Sequence, residues 1–167
     1  MKGDDALKGM KIGIDFGSYS LKIFADGKEI VVDEPSIAAV EVQSGNPIAF
    51  GLAADNVYGR CGEDIEISKV IKNGIVSDFV MAERMLRYYL QRVCGNRIYK
   101  PNIVLSLPSD ISNLEKKIFF DIVTLAGAGR VCLVDGILAS AIGSGVSTDE
   151  LDGRMVIDIG HNITEIA

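Results

Sequence analysis

Two segments of the 167-residue chain end an apolar run in Asp-x-Gly: Ile12-Gly13-Ile14-Asp15-Phe16-Gly17 and Met155-Val156-Ile157-Asp158-Ile159-Gly160. A strand of this kind holds a carboxylate at its end, the glycine permits a tight turn, and the amides and hydroxyls of the turn can hold phosphate oxygens. A magnesium ion would sit near such carboxylates, usually through water, because it dehydrates reluctantly. One Asp-x-Gly turn reads as well, or better, as a plain hairpin turn. Two of them, each closing a β-run and followed by polar residues, add weight to the phosphate reading beside the plain one. His161 is the only histidine. Without a partner it reads first as a polar turn residue and second as a phosphate contact or an acid.

Such turns need a sheet to position them. Met10 to Asp15 and Tyr19 to Ala25 are β-rich runs around Gly17-Ser18, and Ala25-Asp26-Gly27-Lys28 is a tight-turn signal before Glu29 to Val32. Three successive antiparallel strands fit. Glu34-Pro35 ends the run, and Ile37 to Val42, Ser44-Gly45-Asn46-Pro47 and Ile48 to Leu52 read as a further hairpin in a small lobe of about residues 33–77. The spacing of Phe79, Met85, Leu86, Tyr89, Leu90 and Val93 predicts a helix over Asp78 to Val93, capped by Ser77 or Asp78 and stopped by Cys94-Gly95-Asn96. Asn102 to Leu107 is a continuous apolar strand, and Ser112-Asn113-Leu114-Glu115 is a capping box opening a second helix that ends near Gly127 or Gly129. Val131 to Val134 reads as a short buried strand, Ile137 to Ile142 as a small-residue helix and Arg154 to Ile159 as a final strand. The order implies an α/β fold: a mixed five-stranded sheet from residues 10–35 and 100–160 with helices packed on it.

Composition narrows the classes. At 48% hydrophobic, 24% charged and 7% aromatic the chain reads as globular, one domain or two small lobes. A net charge of −6 argues against a nucleic-acid backbone as partner, because phosphate binding over a surface needs a basic face. Cys61, Cys94 and Cys132 are odd in number and widely spaced, which reads as buried thiols in a reducing cytosol. Met1 to Lys11 holds no apolar segment of signal length, so secretion is not expected, and no run is long enough to span a bilayer.

Five segments follow in order: Ile12-Gly13-Ile14-Asp15-Phe16-Gly17-Ser18, Asp33-Glu34-Pro35-Ser36, Asn73-Gly74-Ile75-Val76-Ser77-Asp78-Phe79, Leu107-Pro108-Ser109 and Asp158-Ile159-Gly160. This ordered set resembles the MreB family of bacterial actin-like cell-shape proteins, from about Lys11 to the last residue. The resemblance implies the ribonuclease-H-like fold of actin-like ATPases, a mixed sheet with flanking helices and a small inserted lobe. It implies ATP and Mg2+ clamped between two such halves, and filaments under the membrane. The implied division is 1–35 with 77–153 as a split first subdomain, 36–76 as the inserted lobe and 154–167 as the first strand of a second domain. Asp15, Gly17, Ser18, Tyr19 and Ser20 would form the first phosphate loop, and Asp158, Gly160, His161 and Asn162 the second, with Asp15 and Asp158 facing the metal. Lys22 stands where actin has a phosphate-contacting lysine, and equally reads as a solvated strand lysine.

The chain departs from the family pattern at the reacting end. Where MreB proteins carry Asp-Ile-Gly-Gly-Gly-Thr-Thr, this chain has Asp158-Ile159-Gly160-His161-Asn162-Ile163-Thr164, and their Glu-Glu-Pro is Asp135-Gly136-Ile137. Gly136 has no group with which to position an attacking water, so hydrolysis is expected to be very slow or absent. Ending at Ala167 inside a strand, at about half the family's length, the sequence reads as a cut piece, expected to bind ATP no tighter than about millimolar, or ~4 kcal/mol. Met155 to Ala167 is expected to be poorly ordered or paired with a neighbouring copy as a dimer. Ile98-Tyr99 stands where the resemblance implies an apolar membrane-inserting loop, and the flanking Arg97 and Lys100 suit weak contact with an anionic membrane; alternatively the tyrosine packs on the adjacent helix. The location that follows is the cytoplasm, at the inner face of the cell membrane if that contact is made. Two other readings share the fold: an actin-fold kinase or chaperone-type ATPase, for which no catalytic base can be placed, and an interaction module like the division protein FtsA, whose rearranged lobe differs from Asp33 to Phe79.

Overall fold

Alternation of apolar and polar residues turns one face of each early strand inward. In β1 (Lys11–Phe16), Ile12, Ile14 and Phe16 are buried while Asp15 reaches solvent on the other face. β2 (Ser20–Ala25) likewise buries Leu21, Ile23 and Ala25, and β3 (Ile30–Pro35) buries Val32. The computed structural model describes residues 9–57, 64–95, 98–146 and 153–167. After β3 the chain leaves the sheet for β4 (Ile37–Glu41), β5 (Pro47–Phe50), α1 (Leu52–Val57), β6 (Ile65–Lys69) and the short pair β7 (Ile71–Lys72) and β8 (Ile75–Val76). It returns through α2 (Phe79–Cys94) to β9 (Asn102–Leu107), α3 (Asn113–Leu125), β10 (Arg130–Asp135), α4 (Gly136–Gly143), β11 (Ile157–Ile159) and β12 (Thr164–Ile166).

The central sheet has the order β10-β9-β1-β2-β3. Strands β1, β2 and β3 pair antiparallel, whereas β9 lies parallel to both β1 and β10, which is the expected mixed five-stranded arrangement. A second sheet, β5-β4-β6, carries the intervening segment. Helices α2 and α3 supply the apolar layer: Met85, Leu86 and Tyr89 from one and Phe119, Ile122 and Val123 from the other join Ile12, Ile14, Leu21, Ile23, Ile103 and Leu105 in one core. Each such large side chain contributes about 1.5–3 kcal/mol on burial. The helix starts follow their sequence signals. Asp78 Oδ1 accepts the Met81 amide at 3.0 Å, and Ser112 with Glu115 forms the reciprocal capping box. Hydrogen bonds from the Ser112 side chain and backbone hold the Glu115 carboxyl below its ordinary range.

Some expectations are corrected. β10 is not buried: it is an edge strand paired only with β9, so Arg130, Cys132 and Asp135 are exposed while Val131 and Leu133 pack on the core from its other face. The cysteines are therefore not uniformly buried thiols. Cys132 is exposed and Cys94 half-buried, and Cys61 lies outside the described residues. The six-residue α1 was not foreseen, because its length is under two turns and carries no readable period. The chain end is a hairpin and not a single strand. β11 and β12 pair antiparallel with each other, and Val156 and Ala167 exchange amide and carbonyl at 2.8 and 3.0 Å beyond them.

Candidate functional site

The two Asp-x-Gly segments close hairpins of the same construction. At the first, Gly17 N–H donates to the Ser20 carbonyl at 3.0 Å, and at the second Gly160 N–H donates to the Ile163 carbonyl at 2.9 Å. Each leaves a two-residue tip, Ser18-Tyr19 in one and His161-Asn162 in the other. The glycines are needed for close approach. A Cβ on Gly160 would lie 2.8 Å from the Ile163 oxygen and one on Gly17 3.3 Å from the Ser20 oxygen, so a side chain would force the second turn open. Across the first hairpin Asp15 faces Lys22 in register, and across the second Asp158 faces Glu165. The backbone repeat thus carries opposite charges at the same place.

The two turns face one cavity of about 440 Å3. Asp15, Gly17, Ser18, Tyr19, Ser20, Lys22, Asp158, Gly160, His161 and Asn162 all line it, so the residues expected in the two phosphate loops, with Lys22, are brought to one place. Gly74, Pro108, Ile159, Ile163 and Glu165 complete the wall. The Asn73-Gly74 tip between β7 and β8 has φ of 50° and 74°, the left-handed pair a two-residue hairpin turn requires. Gly74 N–H donates to Ser18 Oγ at 3.0 Å, while a Cβ there would lie 2.4 Å from Ile163 Cδ1 and 3.0 Å from Pro108. This one tip therefore buttresses both turns. At the other end Ser140 Oγ of α4 donates to Asp158 Oδ2 at 2.7 Å, Ser109 N–H donates to Glu165 Oε1 at 2.8 Å, and Ser109 Oγ donates to Asp135. A Cβ on Gly136 would lie 3.0 Å from the Leu107 carbonyl and 3.7 Å from Glu165 Oε2.

Sequence comparison sets this cleft in a family. The sequence model described as MreB/Mbl protein matches residues 9–167. The chain belongs to the MreB/Mbl family. It is 32% identical over 157 residues to the cell shape-determining protein Mbl of Bacillus cereus, covering 93% of this chain and 47% of that protein. To the cell shape-determining protein MreB of Escherichia coli it is 32% identical over 162 residues, with the same coverage of 93% and 47%. The chain thus spans about half the length of the curated relatives it matches. The crystal structure of MreB5 of Spiroplasma citri bound to ADP superposes with a TM-score of 0.87 at 25% identity, over 95% of this chain and 48% of that one. The MamK double helical filament shares the fold with a TM-score of 0.80 at 15% identity, over 95% of this chain and 49% of that one. The fold is therefore the actin-like α/β arrangement that the order of motifs implied.

Within this MreB/Mbl cleft the charges run in a row across the sheet. Asp33, Lys22, Asp15 and Ser106 are successive register partners on β3, β2, β1 and β9. Asp15 is open to solvent on one side only, at the floor of a concave site. Burial pushes its carboxyl above the ordinary value, Lys22 opposes that rise, nearby Asp158 adds to it, and a hydrogen bond with Ser106 opposes it again. Lys22 Nζ donates to the largely buried Ser20 Oγ at 2.9 Å, which keeps its charge at the cleft rather than in bulk solvent. Sequence reading passed over Glu165, Gly74 and Ser140. Carrying the repeat seven residues past each aspartate, from Asp15 to Lys22 and from Asp158 to Glu165, would have found the first. Ser140 sits on a helix with no polar pattern, and only the packing of α4 beside β11 brings it to Asp158.

Proposed function

We propose that this chain is part of a cell-shape-determining, filament-forming cytoskeletal protein, and that its cleft holds the phosphates of ATP or ADP with Mg2+ through the two facing Asp-x-Gly turns. The observation that carries this reading is the matched construction of the turns around one cavity, with Asp15 and Asp158 at its floor. Amides at Ser18 to Ser20 and His161 to Ile163 would cradle phosphate oxygens, and Lys22 would offset their charge. Asp15 and Asp158 suit a hydrated cation: among the described residues no group of three or more His, Cys, Asp or Glu gathers to ligate a metal directly. A bound magnesium would neutralise phosphate charge there. The ADP-bound MreB5 structure supports the ligand class. The proposed division keeps residues 1–35 with 77–153 as one subdomain, 36–76 as an inserted lobe and 154–167 as the start of a second domain. Gly136 leaves an attacking water without a positioning carboxylate, so the proposed activity is nucleotide binding with little or no hydrolysis.

Calorimetric titration of the chain with Mg–ATP and Mg–ADP tests the reading. Binding weaker than about millimolar, ~4 kcal/mol, is expected, because a pair of turns alone supplies little of the surface that a nucleotide buries. Micromolar affinity would contradict that estimate, and the absence of any binding up to tens of millimolar would contradict the phosphate reading itself. Self-association is proposed in two forms: filaments of the whole protein, and a dimer of this chain through the terminal hairpin, where Met155, Ile157, Ile159 and Ile166 are exposed beside open strand edges. Light scattering should give a dimer for the chain and a monomer for one ending near Asp152. A location in the cytoplasm is proposed, with weak contact at the inner membrane face through Ile98 and Tyr99. Ile98 is 92% exposed and Tyr99 half-exposed, and Lys100 follows them. Sedimentation with anionic vesicles, lost in Ile98→Asp, checks that contact. No nucleic-acid partner is proposed. No helix among the described residues is long and apolar enough to cross a membrane.

A further inference from the structure

The tips of the two turns do not merely face each other: they touch. The Tyr19 ring, at the second tip position of the first turn, lies 5.2 Å centroid to centroid from the His161 ring, at the first tip position of the second, with the planes tilted by 38°. We infer that Tyr19 and His161 form a latch across the mouth of the cleft, a ring pair that must part before a phosphate group can sit between the two turns. The inference rests on the phosphate reading above and adds what controls entry.

A ligand that takes amides from both turns at once must pass between their tips, and two rings at 5.2 Å are in contact across that gap. Both rings are free to leave. Tyr19 is 66% exposed and His161 also faces solvent, so a change of rotamer moves each ring outward without disturbing the core. The backbones beneath them are not free to move. The Gly17–Ser20 and Gly160–Ile163 hydrogen bonds close the turns, and the Gly74–Ser18 bond holds the first to the β7–β8 tip. Opening is therefore a side-chain event on a fixed frame.

The single histidine makes the test direct, because its ring C–H proton signals report one site. In the free chain these signals should be displaced by the Tyr19 ring current, and Tyr19→Leu should return them to ordinary positions. Mg–ADP should move them the same way in the unmutated chain. Removing the ring contact by Tyr19→Leu, or from the other side by His161→Gly, should tighten Mg–ADP binding about two- to tenfold by calorimetry, the range an aromatic pair supplies. Histidine signals unmoved by Tyr19→Leu would overturn the latch, as would affinity unchanged or weakened in both single variants while the unmutated chain still binds. Failure of Mg–ADP to bind any form, including the Tyr19→Leu/His161→Gly double variant, would instead overturn the phosphate reading, and the latch with it.

Discussion

Gly51→Ala should destabilise the chain by about 2–5 kcal/mol, the sum of backbone strain and overpacking. Gly51 joins β5 to α1 with φ of 63°, a conformation that L side chains rarely adopt. A Cβ there would lie 2.2 Å from Tyr89 Oη, 2.5 Å from Glu34 Oε2 and 3.1 Å from Glu34 Cβ. None of these can yield cheaply. Tyr89 is buried in the core of α2, its hydroxyl hydrogen-bonded to Glu34, and burial together with that carboxylate pushes its pKa far above the ordinary value. Glu34 Oε2 in turn accepts the Leu52 amide at 2.8 Å, and Gly51 N–H donates to the Ile37 carbonyl at 3.0 Å. One added methyl therefore disturbs the joint where β3, β4, α1 and α2 meet. Gly27→Ala is the matched comparison: its φ is 74° but nothing lies within 4 Å, so only the backbone contributes, about 1 kcal/mol. Urea unfolding of both variants, read from midpoints at constant slope, decides the matter. Equal losses would show that the contacts around Gly51 relax at no cost.

Asp15→Asn should exchange binding for stability. Its carboxyl has a folded pKa raised above the ordinary 3.8 by burial and by Asp158, only partly offset by Lys22. The protonated form is thus the one the fold prefers. The stability this group contributes is fully present below about pH 4, near the unfolded value, and is lost as pH rises through the higher folded value. Asparagine stays neutral throughout. The variant should melt higher than the native chain at pH 7, and the difference should shrink as the pH is lowered toward 4, where the native aspartate is itself protonated. Mg–ADP affinity should fall about tenfold or more, since a charge-assisted contact is lost at the cleft floor. Thermal melts at the two pH values and calorimetry together check this. A variant that melts lower at pH 7 would mean that the Asp15–Lys22 pair, and not burial, dominates.

Much of this was legible from residue types alone. The capping box at Ser112 and Glu115, the Asp78 cap and the alternation in β1 and β2 are local signals, carried by a few adjacent residues whose backbone preferences do not depend on distant partners. The order of five short segments added the family. The exposure of Cys132 was not legible, because an apolar strand at the edge of a sheet and one in its middle have the same local pattern, and only the pairing of β10 with β9 alone separates them.

The candidate site divides in the same way. The amino-acid sequence by itself determined that Asp15 and Asp158 would stand at strand ends before tight turns, because Asp-x-Gly after an apolar run has few other conformations open to it. That the two turns share one cavity, that Tyr19 meets His161 across it, and that Ser140 reaches Asp158 were decided only in three dimensions. These contacts join residues 142 and 18 positions apart, and no local preference encodes a distance of that kind. They come from packing between elements: α4 beside β11 brings Ser140 to Asp158, and the Gly74 tip set against Ser18 and Ile163 holds the two turns together.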